Sequence, residues 1–157
     1  MNLSAQIALF IASILTGFYG GIGFFGFMSF LGTLERLPAQ HLVPFWRLID
    51  GYMGRRMRIF GPLMLLSLVV TLVLLSPQWR SWSFWLIGAA LLVLIVDVRI
   101  AIRENIPINQ AIQNRDVTPS ADQIETFRAT MLRAFYRRST LMIVCFVLVN
   151  LAWFFGH

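Results

Sequence analysis

The stretch Leu91–Asp116, LLVLIVDVRIAIRENIPINQAIQNRD, begins as a run of apolar residues and passes without a break into a polar one. Its helical period survives the change. Asn105, Asn109, Pro107, Arg99 and Arg103 therefore occupy fixed places on a helix that has just left an apolar environment. Polar groups there cost free energy wherever they lose water, so their spacing bears on whether they form a site.

Working outward, the same kind of run recurs. Met1–Leu34, Ile59–Gln78, Ser81–Val96 and Ser139–Gly156 contain no charged side chain. The 157 residues are 58% hydrophobic with a mean hydropathy of +0.73, well beyond an ordinary soluble domain. About 20 apolar residues carry a helix across a bilayer. The expected fold is thus all-α, a single integral membrane domain of four transmembrane helices at about 3–34, 59–77, 81–100 and 138–156. The first run lacks the basic start and cleavage site of a signal peptide and reads as a helix.

Charge sets the expected orientation. The net charge of +6 comes from thirteen arginines and no lysine. Five lie at 36–58 and seven at 99–138, while only Arg80 lies in the second connection and neither terminus has one. The positive-inside bias places loops 35–58 and 97–138 in the cytoplasm of a cell with both termini outside, in the cell (inner) membrane. Trp79, Trp82, Trp85 and Trp153 then gather at the outer interface, where amphipathic rings settle. Topology accounts for the basic charge, so nucleic acid is not expected as a partner; membrane lipids are.

Cys145 is alone, which excludes a disulfide framework, a Cys-x-x-Cys redox pair and with them the small quinone-linked thiol oxidoreductases. His41 and the terminal His157 lie on opposite sides, so no metal site or cofactor is expected.

Segment 35–58, ERLPAQHLVPFWRLIDGYMGRRMR, reads as a separate interfacial helix at about 38–56, with Phe45, Leu48, Ile49 and Tyr52 on one face. Gly61-Pro62 would then open the second membrane helix. Ser13, Thr16, Gly17, Gly20 and Gly23 share a face of the first helix and would let backbones approach closely, including those of a second copy.

Helices three and four are expected to continue as a cytoplasmic hairpin at about 97–138, its tip near Asp116–Thr118, with Thr118 capping the return and Pro119 at its first position. At 100° per residue Val98, Ile102, Asn105, Asn109 and Ile112 form one stripe. Ile124, Phe127, Met131, Phe135 and Met142 form its counterpart, with Arg128 and Arg138 inside it. Arg128 would come level with Asn105 and Asn109, and Arg138 with Asp97. Pro107 would kink the helix and push out the Arg103 carbonyl. The candidate site is therefore Asn105, Asn109, Arg128 and Arg138. Arg99, Arg103, Pro107, Asp97, His41 and Tyr136 would bind substrate or lipid, and Arg99 and Arg103 lean towards lipid phosphates.

NIPINQAI, followed by an arginine-rich entry to the last membrane helix and preceded by LPAQH after a Gly-rich first helix, resembles the anthrone-oxygenase-like family of small four-helix membrane proteins. Asn105, Pro107 and Asn109 match its Asn-x-Pro-x-Asn stretch, and Arg138 matches the arginine entering helix four. Where that family often has Trp, Asn and His, LRAFYRRST offers Ala134, Phe135 and Tyr136. The resemblance implies cofactor-independent oxygenation of an apolar aromatic or quinone-type molecule. Inward Arg and Asn donors would surround a developing oxyanion, and no general base is assigned. Two other readings stay open beside it: a non-catalytic binder or transporter of an anionic amphiphile or lipid, and a structural subunit docking through the Gly face.

Overall fold

A computed structural model describes residues 1–114 and 119–156. The expected hairpin tip at Asp116–Thr118, the Thr118 cap and His157 lie outside the described residues.

The described chain is helical throughout. Helix α1 (Leu3–Phe25) passes through one wide π turn, Gly26–Phe30, into α2 (Leu31–Arg36). Helix α3 (Ala39–Leu75) leads by a short 3-10 turn, Ser76–Gln78, towards α4 (Trp82–Ile100). A second π turn, Ala101–Asn105, joins α4 to α5 (Ile106–Gln113), and α6 runs from Ala121 to Phe154. Four helical stretches, Leu3–Arg36, Ala39–Gln78, Trp82–Gln113 and Ala121–Phe154, are long and apolar enough to cross a membrane. Phe10, Phe18, Leu66, Val73 and Leu92 are exposed around their outside. On a soluble protein that surface would be a liability; on a multi-pass membrane protein it faces lipid.

The bundle is a ring in which α1 packs on α3, α3 on α4, α4 on α6 and α6 on α1. Two apolar clusters fill it. Leu9, Ala12, Met64, Leu68, Ile87, Ala90, Leu94, Cys145 and Val149 belong to the upper one. Phe30, Leu34, Leu42, Trp46, Ile108, Ile112 and Met131 belong to the lower, between α2, the start of α3, α5 and the start of α6.

Glycine decides how closely α1 meets α6. A Cβ built at Gly20 would stand 2.8 Å from the Phe146 Cβ, and one at Gly23 would stand 2.7 Å from the Ser139 carbonyl oxygen. The small-residue face read as a dock for a second copy is thus filled by the chain's own last helix.

Three boundaries differ from expectation. The interfacial helix at 38–56 is not a separate element: α3 is continuous through Pro44 and Pro62. Both prolines lie on its exposed side, where the rings disturb no packing and only one backbone bond each is lost. Leu48 and Tyr52 point outward while Phe45 and Ile49 pack on the lower cluster, so the supposed interfacial face is divided. Helix α6 is capped by Ser120, not opened by Pro119. The Ser120 hydroxyl accepts from the Gln123 N–H and the Gln123 side chain accepts from the Ser120 N–H, a reciprocal capping box.

Pro107 does not break the helix. The π turn before it widens the helix by one residue, with the Ile106 N–H reaching back to the Ala101 carbonyl, and Pro107 enters the first turn of α5, where its missing N–H costs little. The extra residue also shifts the phase of the inward face. Val98 and Ile102 are exposed, and the buried line runs Leu94, Asp97, Asn105, Ile108, Ile112.

Candidate functional site

The candidate residues fall into three separate groups, not the single pocket their spacing suggested. The first lies where the upper cluster ends. Asp97, in the last turns of α4, is buried to 1% exposure inside an otherwise apolar bundle. A carboxylate cannot stay ionised there without partners. Arg138 of α6 supplies one, its Nε at 2.8 Å from Oδ1 and its NH2 at 3.1 Å from Oδ2. The Tyr19 hydroxyl, from α1, donates to Oδ2 as well. Three helices therefore meet at one carboxylate.

Arg138 and Asp97 sit opposite each other as the spacing indicated. Tyr19 was missed. The signal was available: a phenol within a charge-free run needs a partner for its hydroxyl when buried, and Tyr19 is buried.

The second group holds α5 against α3. Trp46 Nε1 donates to Asn109 Oδ1 at 2.8 Å, and Asn109 Nδ2 donates to Asp50 Oδ1 at 2.6 Å. Gln113 donates to Asp50 Oδ2 at 3.1 Å, and Arg47 donates to the Ile112 and Asn114 carbonyls at 2.5 and 3.2 Å. Helix α5 ends there, so its last carbonyls lack intrahelical donors, and Arg47 provides them. Asn109 is thereby used on both its amide atoms, within a clasp and not towards an opening.

The third group is Arg128. Its described hydrogen bonds run to the end of α2 and not to Asn105 or Asn109. Its NH1 reaches the Leu34, Glu35 and Leu37 carbonyls at 3.0, 2.9 and 2.6 Å. Helix α2 stops there because Pro38 follows, and the guanidinium gathers the carbonyls the stop leaves over. Its Nε lies 3.1 Å from Glu125.

Asn105 stands between the first two groups. It is 9% exposed, and its Oδ1 has no hydrogen-bond partner. An unsatisfied buried acceptor costs about 1–3 kcal/mol, so this position is dear to keep for packing alone. In the lower cluster Phe30, Phe45, Trp46 and Phe135 lie ring to ring, with Phe30–Phe135 centroids at 5.1 Å.

The remaining candidates lie outside these groups. His41 is exposed, with its ring at 3.2 Å from the Gln40 side-chain nitrogen. Tyr136 is exposed, edge-on to Phe27 at 5.2 Å. Pro107, Arg99 and Arg103 are exposed. No family model, curated protein or solved structure matches the chain.

Proposed function

We propose that the chain is a multi-pass protein of the cell membrane that takes an apolar aromatic or quinone-type molecule at the Asp97 carboxylate. In this reading both termini are outside, and segment 35–58 and the hairpin at 97–138 are cytoplasmic. The arginine distribution supports the orientation, since the bias follows Arg in short connections.

One observation carries the functional reading. Asp97, at the base of the hairpin where the last turns of α4 meet it, is a buried carboxylate that accepts a phenolic hydroxyl from Tyr19 beside a guanidinium. Ionisable residues at membrane depth mark function more often than architecture. The partners of this one also suit a hydroxyl- or ketone-bearing aromatic. Its own phenol already makes the contact that such a molecule would make, and the orphaned Asn105 oxygen offers a second acceptor on the same inward face. The aromatic cluster of Phe30, Trp46 and Phe135 lies beyond it for a flat ring to pack against.

The reaction that fits is oxygenation without a cofactor, as in the anthrone-oxygenase-like family that the chain resembles at Asn105, Pro107, Asn109 and Arg138. An anthrone-type carbon acid gives its proton to Asp97, and Arg138 holds the oxyanion that forms. Dioxygen takes up the carbanion's electron pair and that proton as a hydroperoxide, which loses water to leave the ketone. One dioxygen is consumed for each ketone and water formed.

Oxygen uptake by the protein in lipid nanodiscs, with a dihydroxyanthrone as probe and empty nanodiscs as the blank, tests this reading. Wild-type protein should exceed the blank, and Asp97→Asn should lose about 100-fold or more of the excess, as expected for removal of a general base. Uptake equal to the blank for both proteins would overturn it.

A further inference from the structure

A second cluster, independent of the Asp97 reading, lies on the outer rim of the seam between α3 and α4. Two contacts fix that seam. At its upper end a Cβ built at Gly88 would touch Leu72 at 3.9 Å. At its lower end Asp50 bonds Asn109. Counting back from Leu72 by nearly four helical turns reaches Arg58, and counting on from Gly88 by three turns reaches Arg99. Both stay within about 40° of the seam-facing direction at 100° per residue. Arg55 precedes Arg58 by three residues and Arg103 follows Arg99 by four, so each pair shares a helix flank. The helices are antiparallel, which sets Arg58 level with Arg99 and Arg55 level with Arg103 to within about one turn.

All four side chains are exposed, and none is in an ion pair among the described residues. Arg58 makes only a weak bond from Nε to the Gly54 carbonyl at 3.4 Å. The nearest acids are already engaged, Asp50 with Asn109 and Gln113, Glu104 with Arg137. Like charges one helical turn apart repel, so four guanidiniums on two adjacent levels favour an anion from outside the chain. Towards the apolar end of the same seam, Leu65, Val69, Leu92 and Ile95 are exposed. A soluble anion gains nothing from that surface, whereas the acyl chains of a lipid do.

We propose that Arg55, Arg58, Arg99 and Arg103 form a binding site for an anionic phospholipid, with preference for a headgroup carrying two phosphates. Each phosphate takes one level of the quartet, with guanidinium N–H groups paired to its oxygens, and the acyl chains descend along the α3–α4 seam.

The test uses full-length protein incorporated into phosphatidylcholine vesicles containing equal phosphate as either phosphatidylglycerol or cardiolipin, followed by gentle extraction and native mass spectrometry. Cardiolipin should be retained in preference to phosphatidylglycerol. Each Arg→Gln change in the quartet should lower retention about fivefold, the worth of one basic side chain at an anionic surface. Arg133→Gln, an exposed arginine on α6, should leave retention unchanged. A lipid count equal for the two anionic lipids, or one reduced as much by Arg133→Gln as by Arg58→Gln, would overturn the proposal. So would full displacement of the lipid by inorganic pyrophosphate, which would reassign the quartet to a soluble anion. Thermal unfolding of each variant separates loss of the site from loss of the fold. None of these outcomes bears on oxygen uptake at Asp97.

Discussion

Arg138 meets both oxygens of Asp97 across the α4–α6 seam, at 2.8 and 3.1 Å, with the carboxylate buried and the guanidinium 17% exposed on its side chain. Around it Leu94 and Met142 are apolar and buried. Taking away one partner leaves the other charge uncompensated in a low dielectric. Arg138→Leu should therefore destabilise the bundle by about 3–5 kcal/mol. The double change Asp97→Leu with Arg138→Leu should recover most of that loss, because an apolar pair of similar volume is often neutral. Unfolding in mild detergent followed by circular dichroism checks both, and a double variant no more stable than the single one would contradict the pairing.

Tyr19 joins α1 to that pair by one hydroxyl. Tyr19→Phe keeps the ring and removes only the donor to a charged acceptor. The expected loss is about 1.5–3 kcal/mol, smaller than that of Arg138→Leu. In an Asp97→Asn background the same substitution should cost about 1 kcal/mol or less. Equal losses in both backgrounds would mean that the phenol does not act through the carboxylate.

The glycines of α1 separate by what they face. Gly23→Ala drives a methyl into the Ser139 carbonyl, which belongs to the backbone and cannot step aside. A loss of about 1–3 kcal/mol is expected. A Cβ added at Gly21 would have nothing within 4 Å, so this position should accept alanine and gain up to about 1 kcal/mol from helix propensity. Melting temperatures moving in opposite directions would bear out the packing of α1 on α6.

Arg128 should matter for a short element and not for the whole bundle. Arg128→Met removes the donors that hold the Leu34, Glu35 and Leu37 carbonyls. Hydrogen exchange should rise across α2 and the start of α3 while α4 stays protected. Uniform loss of protection along the chain would contradict a role confined to this helix end.

Particular residues show how far the sequence could be read. The four apolar runs match the four long helices, because lipid leaves a chain few choices but to bury its backbone polar groups in helices. Arg138 opposite Asp97 was legible from helical spacing alone. The partners of Asn109 were not, since the wide turn at Ala101–Asn105 changes the phase of everything after it and no residue type announces such a turn. Arg128 followed the carbonyls of α2, a demand set by Pro38 some ninety residues earlier in the chain. The continuity of α3 through Pro44 and Pro62 was hidden for a related reason: a proline's effect depends on which side of the helix it faces, and that is a property of the packed bundle. The Ser120–Gln123 capping box, by contrast, stood in the sequence as Ser-x-x-Gln and was readable there.

The central claim is that the Asp97 carboxylate receives an aromatic hydroxyl compound from the membrane. Titration of nanodisc-embedded protein with a dihydroxyanthraquinone, followed by its visible absorbance, tests this without requiring turnover. The account predicts a saturable spectral change in wild-type protein that disappears in Asp97→Asn while both proteins remain folded by circular dichroism. A linear partition curve, the same for both proteins, would contradict it.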